Sequence, residues 1–171
     1  MAQNSLIDRM KGAALLKVAT YEEVEADTSA TAQAGMVVLL AAIAQAIGGI
    51  GQGGAGIIVG AVAALVGWVL WSGITYIIGD KLLGGTATWG ELLRTIGFAH
   101  APQVLVVLAF LPILGGLIRV VVAIWVLIAG IVAIRQALDF STGKAIATAL
   151  LGWLAIAIPA ALLGGAIGLG R

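Results

Sequence analysis

The chain has 171 residues, of which 61% are hydrophobic and only 10% are charged, and its formal net charge is +1. A soluble domain has about 45–50% apolar and about 25% charged residues, so this composition indicates a protein embedded in a lipid bilayer. The small net charge excludes the basic field of a nucleic-acid-binding protein, and the absence of cysteine excludes disulfides, thiolate catalysis and iron–sulfur clusters.

Residues 1–29 form a predicted cytoplasmic amphipathic segment. A stripe with helical spacing runs through Ile7, Met10, Ala14, Val18 and Tyr21, which predicts an amphipathic interfacial helix along the membrane surface, with a loosely ordered tail as the alternative. An acidic cluster follows, and we interpret it as the solvated start of the next helix. Because the first apolar run begins near residue 30, after that cluster, we expect no cleaved signal peptide.

Five apolar segments follow in residues 30–171, the predicted transmembrane domain. At 1.5 Å per residue, about twenty residues cross a hydrocarbon core of about 30 Å. The segments are predicted at Ala30–Ile50, Gly56–Gly79, Ala99–Leu114, Leu117–Gln136 and Ala145–Leu169. Residues Trp89–Phe98 are predicted to form a short interfacial helix before the third segment. The fold class is therefore all-α: a polytopic membrane protein with five transmembrane helices and an N-terminal amphipathic interfacial helix.

Turns and helix ends between His100 and Lys144 carry a family resemblance. They include the Ala-Pro pair at 101–102, Leu-Pro-Ile-Leu-Gly-Gly at 111–116, Ile-Trp at 124–125 and Arg-Gln-Ala-Leu-Asp-Phe-Ser-Thr-Gly-Lys at 135–144. These motifs resemble the Yip (Ypt-interacting protein) domain family in its bacterial form, from about Tyr21 to the C-terminus. The resemblance implies a five-span layout. Eukaryotic members are linked to Rab-type GTPases and carry an Asp-Leu-Tyr-Gly-Pro motif that this chain lacks, so Rab binding is not implied.

Basic residues are distributed unequally between the two predicted sides of the membrane. Seven of the nine lie on the side of the N-terminal segment: Arg9, Lys11, Lys17, Lys81, Arg94, Arg135 and Lys144. Arg119 and Arg171 lie on the other side, and Arg119 is expected to extend outward to the interface. The positive-inside rule therefore predicts a cytoplasmic N-terminus and an outside C-terminus, in the cytoplasmic (inner) membrane of a prokaryote.

Small residues recur at four-residue spacing in two segments, as they do where membrane helices approach closely. This candidate helix-packing face consists of Gly56, Gly60, Ala64, Ala160, Gly164 and Gly168. It serves either packing inside the bundle or association with a partner. Residues Gly51–Gly56 also match a dinucleotide fingerprint, but they join two predicted spans, so we interpret them as a turn.

The polar residues between the fourth and fifth segments form a candidate cytoplasmic docking site, which consists of Arg135, Asp139, Ser141 and Lys144. We expect Arg135 and Asp139 to pair at i, i+4 and Ser141 or Thr142 to cap the fifth helix. Ser141 and Lys144 also match a serine–x–x–lysine pattern of hydrolases, but no further catalytic motif accompanies them.

No catalytic, cofactor-binding or metal-binding residues are predicted. The favoured function is a non-enzymatic integral membrane scaffold that binds a protein partner through helix faces and cytoplasmic loops. One form of it is an accessory subunit of a larger respiratory or photosynthetic complex, and the alternative is a small channel or transporter. Ion coupling is disfavoured because the polar residues expected at mid-depth, Gln45, Ser72, Thr75 and Gln103, do not ionise. For the deep Trp68 and Trp125, packing is favoured over a pigment or quinone contact.

Overall fold

The computed structural model describes residues 5–49 and 57–168, with side chains for 5–49 and 58–159. Within those ranges the chain is helical and contains no strand, so the predicted all-α class is confirmed. The α-helices are α1 (Leu6–Ala14), α2 (Val18–Ala26), α3 (Ala30–Gly48), α4 (Ile57–Tyr76), α5 (Trp89–Ala99), α6 (Leu114–Ala137) and α7 (Thr142–Gly168). A π-helical segment, Ile77–Leu82, extends α4, and a 3₁₀ helix, Ala101–Phe110, follows α5.

Five helical stretches of the described chain are long and apolar enough to cross a membrane. We number them spans 1 to 5: Ala30–Gly48, Ile58–Leu82, Trp89–Phe110, Leu114–Ala137 and Thr142–Pro159. The five-span prediction is therefore confirmed. The predicted boundaries of the first, second and fourth segments lie close to the observed ones, because long apolar runs bounded by glycine or charge have few alternative lengths.

The third span differs from its prediction. Residues Trp89–Phe98, predicted as a separate interfacial helix, belong to α5, which forms the first half of span 3. Past His100 the chain continues as the 3₁₀ helix, with Pro102 in its first turn, where the missing N–H is tolerated. In an 18-residue apolar stretch of span 3, 61% of the residues are buried, against 17–33% in the other four spans. Span 3 is therefore the central helix of the bundle.

The N-terminal segment is a helical hairpin, α1 and α2, which we call the N-terminal hairpin. The chain reverses at Leu16, whose φ of 58° cannot continue a helix. The predicted apolar stripe is therefore divided: Ile7 and Val18 are exposed, whereas Tyr21 is fully buried. The Tyr21 hydroxyl donates to the carbonyl of Ala13 at 3.1 Å and ties the two helices together.

The buried core joins this hairpin to the spans. Its largest side chains come from α2, α5 and the end of α6, and include Tyr21, Val24, Leu92, Phe98, Ile134 and Leu138. The outer surfaces of α4, α6 and α7 instead expose large apolar side chains, among them Val62, Ile124, Leu127, Leu150 and Trp153. A continuous apolar surface of this kind suits contact with hydrocarbon rather than water.

Two glycines allow span 1 to lie unusually close to span 3. A Cβ on Gly97 would lie 2.6 Å from the Cβ of Ala34, and one on Gly48 would lie 2.1 Å from the carbonyl oxygen of Val106. Both distances are too short for a Cβ. The two positions therefore require glycine if the helices are to keep this separation.

Candidate functional site

One end of the bundle collects polar contacts between segments that are far apart in sequence. We call it the polar end: the N-terminal hairpin, the 83–88 turn between spans 2 and 3, and the 138–141 turn between spans 4 and 5. Gln136 donates to Glu22 at 3.2 Å, and Thr86 donates to Asp139 at 2.8 Å. The Lys144 ammonium donates to the carbonyl of Leu83 at 3.2 Å. The hairpin and both turns therefore lie on the same side of the bundle.

Arg9 is the centre of an ion-pair network within the polar end. Its side chain is 2% exposed and lies 2.5 Å from both the Glu23 and Asp27 carboxylates, and it also donates to Gln33 at 2.9 Å. Burial alone would lower the pKa of Arg9, but the hydrogen bonds to Glu23 and Asp27 outweigh it and raise that pKa. Hydrogen bonds from Ser29 and Arg9 lower the pKa of Asp27 to about 2.

The acidic cluster is therefore not the solvated helix start that the sequence predicted. Its members are Glu22, Glu23, Glu25 and Asp27, and they lie in α2 or just after it. Glu23 and Asp27 hold a buried arginine that is 14 to 18 residues away in sequence, a pairing that local spacing cannot reveal.

Arg94 fixes the hairpin to span 3. It is 6% exposed, and its Nε donates to the carbonyls of Val24 and Glu25, both at 3.0 Å. Its Nη2 donates to Glu25 as well. These carbonyls belong to the last turn of α2, where the helix dipole is negative and the oxygens lack partners within the helix. Arg94 therefore caps the C-terminus of α2.

The Glu25 side chain lies in an acidic environment at the same end. Burial, with repulsion from Glu91, Asp139 and Glu22, raises its pKa from 4.5 to about 7, and Arg94 opposes the rise. Within residues 5–49 and 57–168, no three histidine or acidic side chains are grouped so that they could hold a metal ion. Of these side chains, Glu25 therefore has a pKa near neutrality.

The predicted docking residues lie together at the 138–141 turn. Asp139, Ser141 and Lys144 are exposed, and Lys144 also lies over the Phe140 ring, 5.0 Å from its centroid. The predicted cap is confirmed, because the backbone N–H of Lys144 donates to the Ser141 hydroxyl at 3.5 Å at the start of α7.

The predicted ion pair between Arg135 and Asp139 is wrong. Helix α6 ends at Ala137, and Asp139 has a φ of 52°, so the two residues no longer stand one helical turn apart. Arg135 donates instead to the neighbouring Gln136 at 2.9 Å, and Asp139 accepts from Thr86.

The predicted helix-packing face is only partly described. Gly60 and Ala64 line a cavity in the structure, and a Cβ on Gly60 would have nothing within 4 Å. Ala160, Gly164 and Gly168 lie in α7, beyond the residues whose side chains are described. Gly56 and the rest of the glycine motif Gly51–Gly56 lie outside the described residues.

Two adjoining cavities lie at the depth of the spans, and the sequence did not predict them. The first has a volume of about 510 Å³ and lies between α3, α4 and the start of the 3₁₀ helix. The second, about 450 Å³, extends toward α6 and reaches Arg119. Gln45 and Gln103 line both, so we call them the glutamine cavities.

The Arg119 side chain contacts the last residue of span 1. Its guanidinium donates to the carbonyl of Gly48, at the C-terminus of α3. The last carbonyls of a helix need donors that the helix cannot supply, and a cation suits the dipole there. This contact therefore ties α6 to the end of α3, and the extension of Arg119 to the interface stays a prediction.

A family model described as the Yip1 domain matches residues 18–164. No curated protein and no solved structure matches the chain closely enough to count as a relative. The matched range includes α2 and reaches into α7, so it covers the hairpin contacts of Arg94 as well as the five spans.

Proposed function

Because the chain belongs to the Yip1 domain family of membrane proteins, we propose that it is a non-enzymatic membrane scaffold. In this role it binds a protein partner through its helix faces and cytoplasmic loops. The specific form that we propose is an accessory subunit of a larger membrane complex, such as a respiratory or photosynthetic assembly.

The observation that carries this proposal is the ordered arrangement of the polar end. Arg9 and Arg94 are nearly fully buried and fix the hairpin to spans 1 and 3. Asp139, Ser141 and Lys144 are exposed beside it. A surface that is already ordered loses little conformational entropy when a partner binds, which favours a docking role.

We further propose that the polar end faces the cytoplasm of a prokaryote. Among the described basic residues, those at this end include Lys11, Lys17, Arg135 and Lys144, whereas Arg119 lies toward the other end. This asymmetry supports a cytoplasmic N-terminus by the positive-inside rule, and an odd number of spans then gives an outside C-terminus.

Blue-native electrophoresis of membranes solubilised in mild detergent tests the scaffold. We expect the wild-type chain to migrate with a larger complex. The double charge reversal Asp139→Lys with Lys144→Glu should release it as a small species, because both exposed charges at the proposed docking turn are inverted.

The matched control is Lys11→Glu, a charge reversal at an exposed hairpin residue outside the docking set; it should migrate like the wild type. Equal thermal stability of the three proteins checks that each remains folded. Two results would contradict the scaffold: a wild-type chain that migrates alone, and purified protein that conducts solute across liposomes.

A further inference from the structure

The glutamine cavities present unpartnered polar groups at membrane depth. Gln45 is exposed on span 1 and Gln103 is half-buried in span 3, and neither side-chain amide has a hydrogen bond to another described residue. An amide without a partner in a hydrocarbon environment is strongly unfavourable. Together the two cavities have the size of a small-molecule site, which is typically about 300–1,000 Å³.

The hydrogen-bonding groups around the first cavity define what it can hold. Each glutamine amide offers N–H donors and a carbonyl acceptor. The Nδ1 of His100 lies 2.8 Å from the carbonyl oxygen of Ile96. Because a carbonyl can only accept, Nδ1 carries the proton, and Nε2 of the neutral ring is then an acceptor. The lining therefore matches a molecule with carbonyl oxygens in one state and hydroxyl groups in another.

The charge and shape of the lining restrict the ligand further. Among the described lining residues there is no carboxylate, and the one cation, Arg119, already donates to Gly48. Trp68 and Trp71 supply flat apolar walls, and the Trp68 indole is held by a 3.0 Å bond to the carbonyl of Leu93. A neutral molecule with a flat ring fits these walls.

The wall formed by α4 determines how a ligand enters. It consists of Gly60, Ala64 and Gly67, and both glycines are exposed, with nothing within 4 Å of an added Cβ. This wall therefore offers a ligand a path into the cavity from the surrounding lipid.

From these observations we propose that the glutamine cavities bind the ring of a membrane-soluble quinone. The amides of Gln45 and Gln103 donate to its carbonyl oxygens, and Nε2 of His100 accepts from a hydroxyl of the reduced form. The ester carbonyls of a phospholipid share part of this chemistry, so the test must separate the two sources. The site lies at membrane depth, away from the docking turn, and its failure would leave the scaffold proposal intact.

The first experiment is a titration of the protein in phosphatidylcholine nanodiscs with decylubiquinone, followed by quenching of tryptophan fluorescence. We expect saturable quenching in the wild type. Gly67→Leu fills the cavity and Gln103→Leu removes a donor, so each should weaken the apparent affinity at least about tenfold. Quenching that does not saturate and is equal in all variants, as expected of simple partitioning into lipid, would overturn the proposal.

The matched control is Gly116→Leu, the same change at an exposed glycine of α6 with open space around it; it should bind like the wild type. Native mass spectrometry of protein from decylubiquinone-containing nanodiscs separates the two ligand sources. A quinone adduct that is lost in Gly67→Leu supports the site. A phospholipid adduct that added quinone does not displace overturns it.

Discussion

Arg94 joins the N-terminal hairpin to span 3 through its side chain. Its guanidinium supplies donors to two carbonyls at the end of α2, and it does so from a buried position. Arg94→Ala would remove those donors while leaving the carbonyls in place. A buried acceptor without a partner costs about 1–3 kcal/mol, so we expect the hairpin to detach locally from span 3 before the bundle unfolds.

Limited trypsin digestion in nanodiscs measures this detachment, because Lys11 and Lys17 are on the hairpin. Cleavage there should be several times faster in Arg94→Ala than in the wild type. Arg135→Ala is the control, since among the described residues Arg135 donates to the adjacent Gln136 and to no carbonyl of the hairpin. Equal digestion of all three proteins would mean that the hairpin is held by its apolar contacts alone.

Glu25 gives the molecule a stability that depends on pH. Its pKa is raised from 4.5 to about 7, chiefly by burial and then by the neighbouring acids. Between these values the folded chain holds a proton that the unfolded chain has lost. The contribution of Glu25 to stability is therefore complete below about pH 4.5 and declines as the pH rises to about 7.

Glu25→Gln keeps a neutral side chain at every pH. Because the group is partly solvated, screening reduces the effect, and we expect Tm to exceed that of the wild type by about 2–4 °C at pH 8. The two proteins should have equal Tm at pH 4.5. Thermal unfolding in detergent across this range provides the measurement, with Asp8→Asn, the same kind of change at an exposed residue of α1, as the control. A constant difference between Glu25→Gln and the wild type would contradict this assignment.

At the scale of elements, the close approach of spans 1 and 3 at Gly97 determines the packing of the bundle. Gly97→Ala would place a Cβ 2.6 Å from that of Ala34, and the helices would have to separate. Overpacking of this kind costs about 1–3 kcal/mol. The matched change Gly130→Ala has open space and should be neutral or stabilising by up to about 1 kcal/mol, because alanine is the better helix former. Unfolding by SDS titration in bicelles compares the two, and equal stability would show that spans 1 and 3 tolerate a wider separation.

The elements also show how far sequence reasoning extends. Apolar length alone predicted five spans, because hydrocarbon thickness leaves few choices. The prediction was wrong at α5, because residues Trp89–Phe98 were expected to form a separate interfacial helix and instead belong to span 3. In the structure Glu91 completes a capping box with Thr88, and Arg94 caps another helix. The Arg9 network and the glutamine cavities depend on contacts between distant segments, and a one-dimensional pattern carries no signal for either.

At the scale of the whole molecule, the proposed orientation in the membrane can be tested directly. The chain contains no cysteine, so single cysteines can report which side each turn occupies without further engineering. Ile113 is 99% exposed in the turn between spans 3 and 4, and Ser141 is exposed in the turn between spans 4 and 5. These two turns flank α6 and lie at its opposite ends.

With the polar end in the cytoplasm, a membrane-impermeant maleimide should label Ile113→Cys in intact spheroplasts. It should label Ser141→Cys only after lysis, because the proposed orientation, based on the positive-inside rule, places that turn on the cytoplasmic side. Ile124→Cys, on the apolar surface of α6, is the control and should resist the reagent in both conditions. The reverse pattern would invert the proposed orientation, and labelling of both turns from the same side would mean that α6 does not cross the bilayer.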